Sequence, residues 1–578
     1  SLSVTLTTSK ISNHSNVSFV MLHLQHQMKH ILPALLLLLP SLSRAQSPLT
    51  SGFFNYHLTD RYEILSDSMT TDFFTGIKPY RRDYVAAFAS KLSVHKKVDS
   101  FNQNYLLLDN IIFANNSEQF SQKSILRYFY PNQRALFYVN EDRFKLVMNP
   151  LLGFAGGKDK YDSSTTYRNS RGVELFGNIG NKVGFYSYAL ENQTRFPSFL
   201  SEKYENNGTV TGATQAKEYK KGSKDFFNVA GHVTASPIQE ITVQFGHDKN
   251  FIGNGYRSLI LADQAAPNTF LKINTKVWKI NYMNLYSMHT DNQGFIADSV
   301  TLRKFSALHH LSINLSKNIT FGLFENIIFD RQDPRESGKF EIDYLNPLIF
   351  YRALEQGLNS TDNSVLGADI KWNFLTKFSF YGQLIFDEFR KKEFLAGDHA
   401  WVNKWGYQAG LKYINVGNMS NLDMQVEVNQ VRPFVYQHLV RSQNWIHYNQ
   451  SLANPLGANF RELIFILRYQ PISRLCFNAT YSYSKQGLDS SKTSTNFGGD
   501  VTRSYIIPPN GPVVPMFQGV VNQISAVSLN ASYMLWHNLF IDAGIFSRTQ
   551  TNSMILKKQS TIYRIGLRLN LAQQDYRN

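Results

Sequence analysis

The chain has a single cysteine, Cys476, in 578 residues, which excludes a disulfide framework and any cysteine-rich metal site. Long apolar runs are almost missing as well. The only one, residues 31–39 near the start, falls well short of the roughly 20 residues a membrane-crossing helix needs, so a bundle of transmembrane helices is excluded. There is no G-x-S-x-G elbow, no phosphate-binding loop and no H-E-x-x-H pair, so the chemistries those motifs carry have no visible machinery. What is abundant is aromatic: 31 Tyr and 43 Phe, 14% aromatics overall, in a chain whose mean hydropathy is negative. A membrane β-barrel produces that combination, because an apolar outward face alternates residue by residue with a polar inward one.

The net charge is +16. Taking away Lys10, Lys29 and Arg44, with no acid among the first 45 residues, leaves +13. Nucleic acid is one partner for such an excess. For an exported chain, outer-membrane lipid phosphates or acidic surface polysaccharide fit better, and no nucleic-acid partner is expected.

Export is read from residues 28–45, where Lys29 and His30 precede the apolar run. Ser43 and Ala45 supply the small residues of a cleavage site before Gln46. Residues 1–27 begin without Met and read as upstream read-through without structure. Residues 46–131 show weak alternation, with short helices expected at 82–92 and 121–130, and are assigned to a periplasmic or lumen-filling segment. From 132 to 571 the period is two. Trp405, Tyr407, Ala409, Leu411 and Tyr413 alternate with Lys404, Gly406, Gln408, Gly410 and Lys412. Tyr563, Ile565, Leu567 and Leu569 alternate with Arg564, Gly566, Arg568 and Asn570. Each such segment has one greasy and one wet side. The runs are about ten residues, and short turns alternate with long loops near 330–364, 389–402, 432–459 and 485–522. The expected fold is therefore all-β, a single antiparallel transmembrane barrel of about eighteen strands, with residues 572–578 as a tail. The rhythm of connections breaks between 140 and 300, so a strand is miscounted there.

Three segments concentrate chemistry. In FGHDKNFIGNGYRSLILAD, residues 245–263, Gly246, Gly253 and Gly255 allow tight bends, while Asn254, Tyr256 and Arg257 give hydrogen bonds and an aromatic face. A lumen plug, with Arg257 paired to an acid, and a carbohydrate site both fit. In DYLNPLIFYRALE, residues 343–355, Asp343, Arg352 and Glu355 are expected to form a buried ion network beside Tyr344. NQVRPFVY, residues 429–436, carries Arg432 and Tyr436 into the long loop that follows. Trp and Tyr near loops suit sugar stacking, and equally the aromatic girdle of a barrel. The adjacent His309 and His310 fall in a strand, face opposite sides and are read as structural, so no metal is assigned. No cofactor is assigned either.

These segments, together with GDHAWVNKWGYQAGLKYINV and HYNQSLANPLGANFRELIFILRYQP, resemble the RemB-like gliding-motility proteins, related to the capsule-assembly Wzi family. The likeness runs from about 245 to 471, and more weakly back to IKPYRRDYV at residue 77. It implies an outer-membrane barrel of about eighteen strands with a helical element on the periplasmic side. It also implies a role in holding surface polysaccharide or in cell-surface motility. The expectation is a non-enzymatic binder in which Tyr256, Arg257, Tyr344, Arg352, Trp405, Arg432 and Tyr436 line the lumen or its outer mouth. The alternatives are a diffusion porin or transporter, and a scaffold for motility or secretion machinery.

Overall fold

The computed structural model describes residues 53–114, 133–180, 182–220, 222–296, 300–331, 338–348, 362–388, 392, 400–489, 495–506, 512–554 and 557–573. The leader expected at 28–45, the helix expected at 121–130, and Arg352 and Glu355 lie outside the described residues. Among the described residues, eighteen antiparallel strands close into one barrel. In chain order they are β1 (Phe144–Asp159), β2 (Thr165–Ile179), β3 (Val183–Arg195), β4 (Lys224–Ile238), β5 (Ile241–Asp248) and β6 (Asn268–Val277). Then come β7 (Ile280–Ile296), β8 (Val300–Asn314), β9 (Ile319–Phe329), β10 (Asn363–Phe374), β11 (Phe378–Glu388) and β12 (Lys404–Tyr413). The last six are β13 (Leu422–Val431), β14 (Phe460–Ile472), β15 (Leu475–Leu488), β16 (Val520–Trp536), β17 (Leu539–Asn552) and β18 (Lys558–Leu569). The seam joins β18 to β1, from Leu569↔Leu152 to Ile562↔Asp159.

Parity along the strands sets the two faces. On β12 the buried positions are Lys404, Gly406, Gln408, Gly410 and Lys412, while their neighbours are partly exposed. On β18 the alternate positions Tyr563, Ile565 and Leu567 are exposed, as are Leu529 and Ile545 on neighbouring strands. A closed ladder leaves no unpaired edge, and an apolar outer belt is what lipid requires. No described helix is long and apolar enough to cross a membrane. The short connections, such as 315–318, 375–377 and 537–538, gather at one end, the periplasmic side in barrels of this kind. The expected count of about eighteen holds, and the broken rhythm between 140 and 300 has a simple cause. The opposite-end connection after β1 spans only residues 160–164, and three residues separate β7 from β8, so short connections occur at both ends and the rhythm is lost.

The lumen is filled from both ends. At the short-turn end lie α1 (Phe53–Leu65), α2 (Arg82–Lys91) and α3 (Lys97–Asp109). Asp83 in the first turn of α2 and Lys91 in its last complement the helix dipole. Asp109 ties α3 in place, ion-paired with Arg134 at 2.8 Å and accepting from Asn538 Nδ2 at 3.0 Å at the turn between β16 and β17. From the other end, residues 249–267 turn inward and meet the 432–459 loop. There Ile252, Leu259, Tyr436 and Trp445 build a core against Phe270, Leu308, Phe324, Ile385 and Phe460 of the wall. That core leans on β6 to β14 only. A short antiparallel pairing, Ile77↔Ile252 and Lys78↔Phe251, joins the two fillings. α4 (Ser198–Asn207) follows β3 and stops at Gly208, whose φ of 69° suits a helix end.

Candidate functional site

The inserted segment is seated by acceptors that the wall supplies. Glu427 on β13 takes the backbone N–H of Tyr256 at 2.6 Å and of Arg257 at 3.0 Å. Gln383 Oε1 on β11 takes that of Leu259 at 2.8 Å. Two glycines make the approach close enough. A Cβ at Gly255 would sit 2.6 Å from Glu427 Oε2, and one at Gly253, whose φ is 144°, would sit 2.6 Å from Gln383 Nε2. The Arg257 guanidinium reaches Glu462 Oε1 at 2.9 Å, both side chains being buried.

The fillings leave space between and beside them. An inner chamber of about 140 Å³ lies between α1, residues 75–80 and the inserted segment. Tyr56, Tyr80 and Tyr256 give it aromatic faces, and Asn250 and Asn254 give it planar amides. Lys78 Nζ stands 4.5 Å from the centre of the Phe251 ring and 5.5 Å from that of Tyr56. Burial, with Lys412 nearby, holds the Lys78 pKa down to about 8. Asp60 on α1 would be raised by burial alone, yet the ammonium groups of Lys371 and Lys412 hold it well below the usual carboxylate range.

An outer chamber of about 380 Å³ runs along β1, β2 and β18. Its floor is β1, whose inward positions Gly153, Ala155 and Gly157 carry one side-chain carbon between them. The space so left is bordered by Arg168 of β2 and Arg564 of β18. Arg168 donates to Ser170 Oγ and Asn192 Oδ1, each at 2.8 Å, and Arg564 to Asn530 Oδ1 at 2.7 Å. Towards α4, Phe196 and Phe226 stack 6.2 Å apart beside Tyr204. After β18 the chain turns at Asn570, φ 54°, and Ala572 and Gln573 border both chambers. Among the described residues no cluster of three or more His, Cys, Asp or Glu could hold a metal.

The residues picked from sequence are only partly brought together. Tyr256, Asn254 and Gly255 line the inner chamber. Arg257 is turned away into its ion pair with Glu462, which is the plug arrangement. Arg432 and Tyr436 are buried in the outer filling. Arg432 donates to the carbonyls of Ala400 and Val514, and the Tyr436 hydroxyl donates to Leu259 O at 2.7 Å. Trp405 does not line the lumen: it shares parity with Tyr407, Leu411 and Tyr413 and faces outward. Gly246 is not in the plug but in β5, where a Cβ would meet Gly231 O at 2.4 Å. Tyr344 lies on the outside of the wall, 4.6 Å from the Phe329 ring centre, its hydroxyl donating to Asp362 at 2.6 Å. The segment 338–348 packs Phe340 and Tyr344 over the outward Tyr286, Ala307 and Ile327, so Asp343 is exposed rather than part of a luminal network. His309 and His310 do face opposite sides, hydrogen-bonded to Asn284 and to Asp369 respectively, each at 2.6 Å.

Sequence reasoning missed the residues of both chambers outside the inserted segment. Signals were present: Arg564 and Arg568 stand on the wet parity of the last strand, and Lys78 and Tyr80 belong to IKPYRRDYV.

No family model and no curated protein sequence matches this chain. Among solved structures, Escherichia coli Wzi is similar over 92% of this chain and 100% of its own, at TM-score 0.55 and 10% identity. That protein is an outer-membrane protein involved in group 1 capsule assembly and a carbohydrate-binding β-barrel. Pseudomonas aeruginosa OccK8 (OprE) covers 73% of this chain and 97% of its own, at TM-score 0.39 and 10% identity. Pseudomonas aeruginosa OprD covers 73% and 94%, also at TM-score 0.39 and 10% identity. The chain has the fold of an outer-membrane β-barrel. Within that class its overall fold is similar to that of Wzi.

Proposed function

We propose that this barrel is exported by cleavage after residue 45 and acts without catalysis, holding surface polysaccharide for capsule assembly or cell-surface motility. The observation that carries the reading is the outer chamber. It is about 380 Å³, within the roughly 300–1,000 Å³ of ligand pockets. It offers stacked aromatic rings at one end and guanidinium and hydroxyl donors along its walls. Sugar rings present C–H faces to aromatics and hydroxyls to planar polar groups, and guanidinium forks suit uronate or phosphate oxygens. The likeness of fold to a carbohydrate-binding barrel supports the same reading.

The test is a glycan array and calorimetry on the purified, folded barrel. Binding of a saccharide, weakened at least about tenfold by Phe226→Ala together with Arg168→Gln, is expected; that is about 1.4 kcal/mol. A folded barrel that retains no glycan would overturn the proposal.

A further inference from the structure

We infer that the filled lumen still contains a narrow passage selective for small anions, an activity that goes beyond polysaccharide binding. The outer and inner chambers share Lys249, Asp263, Ala572 and Gln573 on their borders. A third cavity of about 70 Å³ shares Pro79 and Tyr80 with the inner one. This third cavity reaches Glu240, in the short turn after β4, and Lys276, at the short-turn end of β6. The outer chamber begins at Tyr204 of α4, over the long-loop end. The three cavities therefore follow one another from one mouth of the barrel to the other, and they narrow from about 380 to 140 to 70 Å³.

Two features of the fold leave room at the outer level of this path. The apolar core built by the inserted segment and the 432–459 loop packs only on β6 to β14, and the facing strand β1 has Gly153, Ala155 and Gly157 at its inward positions. Charge along the path is uneven. Eleven Lys or Arg side chains border the three cavities, against six Asp or Glu. The cations occur at every level: Arg168 and Arg564 outermost, then Lys249, then Lys412 and Arg468, then Lys272, and Lys276 nearest the periplasmic end. In a narrow water-filled path between low-dielectric walls, such an excess of one sign concentrates the opposite ion and repels its own. The narrowest cavity admits chloride, phosphate or a small carboxylate and excludes a saccharide.

The measurement is single-channel recording of the purified full chain in planar bilayers under a potassium chloride gradient. Faster migration before boiling serves to confirm a folded barrel. Small conductance with a reversal potential on the anion side is expected. Arg168→Glu with Arg564→Glu should move that potential towards the cation side, and Arg168→Gln with Arg564→Gln should give an intermediate value. A folded barrel that passes no current overturns the inference. So does one that prefers cations, or whose selectivity both double variants leave unchanged. Glycan binding is read separately, so either proposal fails without the other.

Discussion

Replacing Lys371 by Met should loosen the periplasmic filling while leaving the barrel closed. Lys371, on the inward face of β10, reaches Asp60 Oδ1 at 2.7 Å and Thr75 Oγ1 at 3.0 Å, and it also contacts Glu63 Oε2. Its side chain and that of Glu63 are each 1% exposed, so the methionine variant would leave two carboxylates on α1 without their shared cation. Removing one partner of a buried ion pair costs about 3–5 kcal/mol. Glu63 keeps the Thr70 N–H at 2.9 Å and the Thr75 hydroxyl at 3.1 Å, and Asp60 keeps Lys412, so the lower end applies. About 3 kcal/mol raises the population of the opened segment roughly a hundredfold, at 1.4 kcal/mol per decade. Hydrogen exchange of residues 53–65 in the detergent-solubilised barrel reads that opening directly. Adding Glu63→Gln to Lys371→Met should recover part of the protection, because the amide needs no countercharge. Unchanged exchange in Lys371→Met would refute the claim that buried ion pairs hold α1 in the lumen.

Arg257→Met should lower the melting temperature of the barrel, because Glu462 stays buried with, among the described residues, Asn429 and Asn454 as its remaining donors. Partial rescue is expected in Arg257→Met with Glu462→Gln. Gly255→Ala should expose residues 249–263 to protease, at a cost of roughly 1–3 kcal/mol, since the new Cβ meets Glu427 and Gln408. Anion retention in the inner chamber should weaken as pH rises through about 8, where Lys78 loses its proton. Asp60 and Asp263 favour its charge and Lys412 and Lys371 oppose it, so titration between pH 7 and 9 reads the net effect. Lys78→Gln should flatten the profile. Trp405→Ala should leave glycan binding unchanged, because the ring is on the lipid side; a loss of binding would put the parity of β12 in doubt.

Strand parity carried most of the fold. Lys404, Gln408 and Lys412 are readable as luminal from β12 alone, and the same rule already placed Trp405 outside among Tyr407, Leu411 and Tyr413. α1 and α3 were not legible, for a physical reason. Their buried faces meet the polar inward positions of strands, so Asn55, Arg61, Glu63, Asn102 and Asp109 are all buried and no apolar stripe of helical period develops. The inserted segment stood out because two of its glycines are needed where it touches the wall. The chambers did not, since they arise from where side chains are missing on β1 and from which strands the filling leans on. Neither is visible in a single segment. The path of 338–348 over the outer wall was equally hidden, because Phe340 and Tyr344 look the same in a mouth, a girdle or a packed strap.

The central claim is a sealed sheet in lipid with an ordered, polar interior, and electrophoretic migration with and without boiling tests it most directly. The account predicts that the processed chain partitions with outer membranes and runs faster when unboiled, because the closed ladder resists detergent until heated. A chain recovered in the soluble periplasmic fraction, or one with a single mobility in both conditions, would contradict it.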